Sequence, residues 1–266
     1  MNLKNTTILL TGATGGIGRA VAQALADQGA RLLLVGRNID SLQALSEQLP
    51  GAHEALTADI ACDSGRDAIE QRCAALGGID LLINLAGTLD FHFFETQPES
   101  VIQGMLTTNL VSPMLLTRRL IPQLKRRPEA AIVNVGSTFG SIGHPGFTAY
   151  CASKFGLRGF SEALRRELSD TNIKVFYLAP RATATSLNSD AVNALNDALG
   201  NKTDTPRQVA EALVKLVTSE RHQHYMGWPE KLFVRINALF PGIVHSALAK
   251  KIPVIKKYAE QRLDAK

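Results

Sequence analysis

The chain has 266 residues, of which 45% are hydrophobic and 20% are charged, and its formal net charge is +5. This balance is typical of a globular protein and excludes a disordered or fibrous chain. The three cysteines, Cys62, Cys73 and Cys151, lack CxxC spacing, so we predict no disulfide framework and no metal site, and expect a reducing cytoplasmic setting. The N-terminal segment is not typical of a secretory signal, and no apolar run reaches the roughly 18 to 20 residues that span a bilayer.

The positive charge is concentrated at the C-terminal end. Residues 247–266 hold six Lys or Arg against two Asp or Glu, which accounts for most of the net charge. The rest of the chain is therefore nearly neutral, whereas nucleic-acid binding needs basic residues spread over a docking surface. We predict no nucleic-acid partner.

Short apolar runs alternate with longer amphipathic stretches from residue 5 to about 180. The apolar runs predict the strands TTILLTG, ARLLLVG, HEALTADI, IDLLINLAG, AAIVNVGS and NIKVFYLAP. The amphipathic stretches predict helices at RAVAQALADQG, SLQALSEQL and DAIEQRCAALGG, and at about 99–126, 148–169 and 206–218. Continuous apolar strands separated by helices predict a parallel sheet covered on both faces. The expected class is α/β, a three-layer Rossmann fold whose doubly wound parallel sheet has about seven strands.

A change of composition follows the last of these strands. Residues 181–203 are rich in Ala, Asn, Ser and Thr, which predicts a mobile loop with a short helix. We expect a Rossmann domain at residues 1–229, followed at 230–266 by an amphipathic, basic tail that packs on it or extends from it. The apolar residues of this tail recur at helical spacing: Leu232, Ile236, Leu239, Phe240, Ile243, Ala247 and Leu248.

Three interpretations of the tail remain open: a lid or subunit contact, a membrane-surface anchor, and an ordinary core helix. A basic amphipathic segment can lie among the headgroups of an anionic membrane. Pro241 and Pro253 interrupt any long surface helix, which favours the lid or subunit contact.

The string TGATGGIG at residues 11–18 joins a predicted strand to a predicted helix. Such a turn offers free backbone N–H groups and the positive helix end to a pyrophosphate, although a tight connection without a ligand has the same pattern. Two glycine frames are open, Gly12 with Gly15 and Gly18, or Gly12 with Gly16 and Gly18. The next strand ends at Gly36 and Arg37, where an acidic residue would bind the ribose of NAD(H). A guanidinium there favours the 2'-phosphate of NADP(H).

Two further segments indicate an enzyme. Ser137 ends a predicted strand in VNVGSTFG, and Tyr150 and Lys154 lie four residues apart in YCASK, on one face of a predicted helix. An ammonium beside the phenol favours the phenolate. We therefore expect Lys154 to lower the pKa of Tyr150 toward the range of a general acid or base.

These segments together resemble the short-chain dehydrogenase/reductase family over residues 5 to about 185. The resemblance is carried by TGATGGIG, Asp59 after the third strand, NLAG at 84–87, Asn109 in TTNLVSP, and the Ser137, Tyr150 and Lys154 set. The chain is too short for the extended type, which favours the compact type and the frame Gly12, Gly16 and Gly18. The resemblance implies an oxidoreductase that transfers hydride between NADP(H), with NAD(H) less favoured, and a carbonyl or secondary alcohol. It also implies a homodimer or homotetramer.

The resemblance implies a role for each matched residue. Tyr150 would exchange a proton with the substrate oxygen, Ser137 would hydrogen-bond that oxygen, Lys154 would also bind the nicotinamide ribose, and Asn109 would hold a water. The implied cofactor-binding residues are Gly12, Thr14, Gly16, Ile17, Gly18, Arg37, Asp59, Ile60, Asn84, Ala86, Gly87, Tyr150, Lys154, Pro180, Thr183 and Thr185. The chain departs from the family pattern at Leu85, where a second Asn is usual, and at Arg181, where a glycine usually follows the proline; we expect Arg181 to lie at the surface.

The segments around the predicted catalytic residues are apolar. LDFHFF at 89–94, Phe139, Phe147 and Leu187 favour a hydrophobic substrate, with His92 and His144 near the cleft. Two alternatives to a cytoplasmic carbonyl reductase are kept. One is a lipid or acyl-chain reductase of the same mechanism, held at the inner face of a membrane. The other is a non-catalytic nucleotide-binding regulator, against which the intact catalytic set argues.

Overall fold

The computed structural model describes residues 1–260 and contains one parallel sheet in the strand order β3-β2-β1-β4-β5-β6-β7. The strands are β1 (Thr7–Thr11), β2 (Arg31–Gly36), β3 (Glu54–Thr57), β4 (Leu81–Asn84), β5 (Ala130–Val135), β6 (Ile173–Ala179) and β7 (Gln223–Tyr225). The predicted α/β class and doubly wound sheet are confirmed. The chain order reverses between β1 and β4, and such a switch point leaves a crevice at the carboxyl ends of the strands.

Helices cover both faces of this sheet. They are α1 (Gly16–Asp27), α2 (Ile39–Gln48), α3 (Asp63–Ala75), α4 (Glu99–Leu106), α5 (Ser112–Leu124), α6 (Thr148–Glu167), α7 (Asp190–Ala198), α8 (Pro206–Thr218), α9 (Glu230–Leu239), α10 (Pro241–Ala249) and α11 (Ile252–Glu260). Helix α7 is the short helix predicted within the segment 181–203. The helix at 206–218 is confirmed residue for residue, and its first turn is closed by a capping box between Thr205 and Gln208.

Two apolar clusters sandwich the sheet. Ile8 and Leu10 of β1 are buried with the residues of α1 and α8, whereas Leu9, between them, is buried with the residues of α3 and α5. Successive side chains of a strand point to opposite faces. Because both faces are covered, every position of such a strand is apolar, which is why the strands read as continuous apolar runs.

The helix predicted at about 99–126 is divided. A π-helical turn, Thr107–Val111, separates α4 from α5, and the Ser112 N–H donates to the carbonyl of Thr107, five residues back. Pro113 has no N–H and so cannot bond the Asn109 carbonyl in the α pattern. π turns of this kind occur frequently at functional sites.

Residues 230–260, the described part of the tail, form three helices. Pro241 begins α10 and Pro253 lies in the first turn of α11, so the predicted interruption of a long helix is confirmed. Helix α11 returns to the body, where Ile255 and Ala259 are buried in a third apolar cluster with Phe91 and Phe147. We call α9 and α10 the helical hairpin. Of the basic tail, Arg262 and Lys266 lie outside the described residues, as does the acidic Asp264.

Within residues 1–260, no single helix is long and apolar enough to cross a bilayer. Helices α9 and α10 taken together satisfy the length and composition that crossing requires, but they meet at a bend of 119°.

Candidate active site

A cleft of about 840 Å³ opens at the carboxyl ends of the strands, over the switch point. It brings together every predicted site residue except Asn84 and Asn109. Those that line it are Gly12, Thr14, Gly16, Ile17, Gly18, Arg37, Asp59, Ile60, Ala86, Gly87, Ser137, Tyr150, Lys154, Pro180, Thr183 and Thr185.

The turn between β1 and α1 is packed so tightly that three of its glycines have no room for a side chain. A Cβ on Gly18 would lie 2.1 Å from the carbonyl oxygen of Gly12, and one on Gly12 would lie 2.8 Å from the backbone of Ala86. A Cβ on Gly16 would lie 2.8 Å from the methyl group of Thr185. Gly15 is free of such contacts, since only the Gly12 oxygen comes within 3.4 Å. The three crowded glycines, Gly12, Gly16 and Gly18, form the frame that was expected for the compact type. The N-terminus of α1 has no side-chain cap, so its free N–H groups fit a pyrophosphate.

The far end of the cleft lies beyond β2. The Arg37 side chain is exposed there and lines the cleft, and within residues 1–260 it has no ionic partner. The next residue, Asn38, caps α2 by accepting a hydrogen bond from the Ser41 N–H at 2.8 Å. The Asp59 carboxylate accepts one from the Ala61 N–H at 2.9 Å. This end therefore offers a free guanidinium, which fits a phosphate group.

Asn84 does not reach the cleft. Its side chain is buried under the sheet, where it donates to Asn134 at 2.8 Å and to Thr117 at 3.1 Å. Asn84 alternates with Ile83 along β4 and so shares the face of Leu82. Asn84 therefore does not flank the cofactor cleft as expected. Its side chain instead links β4 to β5 and α5.

A residue that sequence analysis missed holds the turn after β4. The buried Thr11 hydroxyl donates to the Ile83 carbonyl at 3.2 Å and accepts from the N–H groups of Leu85 and Ala86 at 3.1 and 3.3 Å. It joins the turns that follow β1 and β4. Its position directly before the glycine turn, in the string TGATGGIG, was the only signal.

Ser137, Tyr150 and Lys154 meet at the centre of the cleft. The Ser137 hydroxyl accepts a hydrogen bond from the Phe139 N–H at 3.1 Å and is hydrogen-bonded to the Tyr150 phenol. Helix α6 carries both Tyr150 and Lys154, and the Lys154 Nζ lies 5.7 Å from the centre of the Tyr150 ring. The same ammonium donates to the carbonyl of Val135 at 3.1 Å. The predicted spacing therefore places the phenol, the hydroxyl and the amine together.

Burial controls the protonation of this group. The surroundings of the Tyr150 phenol raise its pKa to about 12, although the hydrogen bond with Ser137 acts in the opposite direction. Burial lowers the pKa of Lys154 to about 8. The expectation that Lys154 lowers the pKa of Tyr150 is therefore wrong here, because desolvation of the phenol dominates. At neutral pH the phenol keeps its proton.

Asn109 lies behind the cleft and is fully buried. Its side-chain amide donates to the Thr88 carbonyl at 2.9 Å and to the Ser153 hydroxyl at 3.1 Å, and its oxygen accepts from the Thr88 N–H at 2.8 Å. Ser153 in turn donates to the Tyr150 carbonyl at 2.7 Å. Both amide protons are thus used, so Asn109 positions the loop after β4 and helix α6. Ser153 has no distinguishing sequence pattern and was missed.

The loop after β6 closes the cleft over the glycine turn. Arg181 does not lie free at the surface as expected: its side chain is only 13% exposed and pairs with Asp204 at 2.7 Å and with Glu230 at 3.1 Å. These carboxylates raise the pKa of Arg181. Thr183 donates from its hydroxyl to the Arg181 carbonyl at 3.0 Å. The ion pairs tie the end of β6 to α9.

The other half of the cleft is apolar. Phe139 and Tyr150 lie edge to face with ring centres 6.4 Å apart, and Phe139 lies 5.2 Å from Phe147. His144 stacks on Phe139, and its Nδ1 donates to the Pro145 carbonyl at 2.8 Å. The remaining apolar lining residues are Leu89, Ile142, Leu187, Val192, Leu195, Leu199, Phe233, Ile243, Val244, Ala247 and Leu248. Of the predicted aromatic residues, Phe91 is core, and His92 does not line the cleft.

Comparison with known proteins agrees with this geometry. The family model of short chain dehydrogenases matches residues 6–196. A 3-oxoacyl-[acyl-carrier-protein] reductase of Bos taurus is 37% identical over 78% of this chain and 89% of its own length. A dehydrogenase/reductase SDR family member 7B, also of Bos taurus, is 31% identical over 94% of this chain and 82% of its own.

A solved structure supports the same conclusion. The crystal structure of a 3-ketoacyl-(acyl-carrier-protein) reductase from Brucella melitensis, complexed with NADH, is 27% identical, with a TM-score of 0.74. The match covers 80% of this chain and 91% of that chain. The chain described here therefore belongs to the short-chain dehydrogenase family, whose members are oxidoreductases that use a nicotinamide cofactor.

Proposed function

We propose that the chain is an NADP(H)-dependent oxidoreductase that reduces a hydrophobic carbonyl compound or oxidises the matching alcohol. The observation that carries the proposal is the meeting of Ser137, Tyr150 and Lys154 in one cleft with the crowded glycine turn. The glycine turn, Arg37 and Lys154 would hold the nicotinamide cofactor, which supplies or takes the hydride when it is bound.

Tyr150 is the general acid of this proposal. Its raised pKa keeps the phenol protonated near neutral pH, so it donates its proton to the carbonyl oxygen in the direction of reduction. The Ser137 hydroxyl receives the Phe139 N–H on its oxygen and keeps its own proton for the phenol or the substrate oxygen. Lys154, with a pKa of about 8, exchanges its proton near neutral pH and so can pass one toward the phenol.

The test of the reaction uses Tyr150→Phe with NADPH and a panel of aldehydes and ketones. We expect turnover to fall by roughly 10²- to 10⁴-fold, the usual contribution of a general acid, while NADPH binding measured by fluorescence is retained. Full activity in the variant would refute the role of Tyr150. If the unaltered protein binds NADPH but turns over no carbonyl compound, the nucleotide-binding regulator is supported instead.

Support for NADP(H) comes from the Arg37 guanidinium, which has no ionic partner within residues 1–260, and from Gly36, which stands where an acidic residue would repel a 2'-phosphate. Arg37→Asp should weaken NADPH far more than NADH. Arg126→Asp is the matched control, because this exposed arginine follows α5 at the opposite end of the sheet and makes the same charge change. An equal loss for both cofactors in Arg37→Asp would refute the preference.

Support for a hydrophobic substrate comes from the apolar half of the cleft. It also comes from the 3-oxoacyl-[acyl-carrier-protein] reductases among the relatives. Burying one methylene contributes about 0.8 kcal/mol, so kcat/KM should rise roughly fourfold per added CH₂ until the cleft is filled. A series of straight-chain ketones measures this slope. A kcat/KM that is flat or falls with chain length would contradict the proposal.

The family resemblance also supports a homodimer or homotetramer. Val111, Met114 and Phe155, on the π turn, α5 and α6, expose 43%, 39% and 41% of their surface. Analytical ultracentrifugation of the whole chain tests the assembly, and a monomer at micromolar concentration would contradict it.

A further inference from the structure

The helical hairpin exposes a cluster of large apolar side chains. Leu239 is 72% exposed, Ile243 61%, Phe240 60% and Phe233 46%, and Trp228 just before α9 is 60% exposed. Single exposed apolar residues are ordinary on a protein surface, but a contiguous patch marks a site of contact. The bend between α9 and α10 places Leu239 and Phe240 at the tip of the hairpin.

This surface is continuous with the active-site cleft. Phe233 of α9 and Val244, Ala247 and Leu248 of α10 line the cleft, while Leu239 and Phe240 do not. The hairpin is also fixed to the catalytic region, because the Asn237 side chain donates to the Ser141 carbonyl at 2.9 Å. One side of the hairpin is therefore a wall of the cleft, and its tip faces outward.

The unpaired charges of the helical hairpin and its flanking residues are positive, and Arg235 is the one nearest to the tip. The exposed cations are Lys231 and Arg235 on α9 and Lys250 after α10, with Lys251 at the cleft wall. Between residues 228 and 251 the one acidic residue is Glu230, and its carboxylate is paired with Arg181. An apolar tip on a hairpin with cations on α9 and directly after α10 is complementary to anionic headgroups over hydrocarbon.

We propose that the helical hairpin docks on an anionic membrane surface, with its tip among the lipid headgroups and the mouth of the cleft facing the lipid. A second copy of the chain is disfavoured as the occupant, because a twofold contact would bring the same cations together. The docking goes beyond the proposed reaction and does not depend on it. Delivery of a lipid-dissolved substrate to Tyr150 rests on the proposed function.

The experiment is sedimentation of the full chain with vesicles of phosphatidylcholine alone or with about 30% phosphatidylglycerol, where added anionic lipid attracts basic residues. We expect binding to the anionic vesicles. Leu239→Gln with Phe240→Gln keeps the charge and should weaken binding by about tenfold or more, since each side chain loses its burial in lipid. Ile39→Gln is the control, because this exposed residue of α2 lies at the opposite edge of the sheet and the substitution also keeps the charge; the control variant should bind vesicles as the parent does.

Each outcome decides a separate point. Absence of binding by the unaltered chain, or equal binding by the tip variant, overturns the docking. If the tip substitutions convert a dimer to a monomer and the parent chain does not bind vesicles, a second copy of the chain covers the tip. This result also overturns the docking. Tyr150→Phe should bind vesicles normally, so a failure of the proposed reaction is seen separately as loss of turnover on soluble ketones. If delivery operates, the tip variant raises KM for a vesicle-dissolved ketone and leaves KM for a soluble ketone unchanged.

Discussion

Replacing Lys154 by Met should stabilise the fold while it abolishes activity. Lys154 is 6% exposed, and its ammonium has no carboxylate partner within the described residues and donates to the Val135 carbonyl. Burial lowers its pKa from 10.5 to about 8. At about 1.4 kcal/mol per pKa unit, keeping this charge costs the folded state about 3 kcal/mol at neutral pH. The substitution also removes the hydrogen bond to the Val135 carbonyl, which costs about 1 kcal/mol. The net increase in the free energy of unfolding is therefore about 2 kcal/mol.

The sign of the pH dependence follows from the lowered pKa. Below about pH 8 the folded chain carries the full cost of the buried charge. Between about pH 8 and 10.5 the unfolded chain binds more protons than the folded chain at this residue, so the cost disappears as the pH rises. The advantage of Lys154→Met should therefore be largest near pH 7 and lost above about pH 10.5.

Urea unfolding at about pH 7 and at about pH 10.5 measures the free energy of unfolding of the parent and of Lys154→Met. Lys125→Met is the control, since this lysine is exposed at the end of α5 and its loss should change neither value. A Lys154→Met protein that is less stable than the parent at pH 7, or a gain of the same size at both pH values, would refute the reasoning.

The glycine turn and the Arg181 ion pairs give three further predictions. Gly15 has a negative φ and room for a side chain, so Gly15→Arg should tighten the binding of NADPH relative to that of NADH by adding a second guanidinium near Arg37. An unchanged ratio of the two dissociation constants would contradict this. Gly18→Ala should abolish cofactor binding and destabilise the fold, because its Cβ would meet the Gly12 carbonyl oxygen; calorimetry with NADPH tests it, and normal affinity would show that the turn can widen. Arg181→Gln should cost about 3 kcal/mol in urea unfolding, because it leaves the buried Asp204 carboxylate and the half-buried Glu230 carboxylate without their guanidinium partner; a change below about 1 kcal/mol would mean that water replaces the guanidinium.

Local chemistry along the chain determined much of this protein. The continuous apolar runs predicted a sheet buried on both faces, and the i, i+4 spacing of Tyr150 and Lys154 placed both on one face of α6. Two misses had a local signal. Period-two alternation along β4 places Asn84 on the face of Leu82, away from the cleft, and Pro113 marks the break in the helix that carries Asn109.

Other properties depended on what packs against each residue in three dimensions. Arg181 pairs with carboxylates 23 and 49 residues away, which no local pattern reveals. The spacing of Tyr150 and Lys154 predicted a lowered phenol pKa, but desolvation by the surrounding fold raises it.

The C-terminal tail also shows what a sequence pattern leaves undecided. Apolar residues at helical spacing are equally compatible with a core, a lid and a surface, because the pattern fixes only which side chains share a face. Packing decided that Ile255 of α11 is fully buried against Phe91 while Ile243 of α10 remains exposed. The sequence by itself therefore determined the fold and the catalytic pattern, whereas burial, and with it protonation and the exposed hairpin, was decided by the tertiary structure.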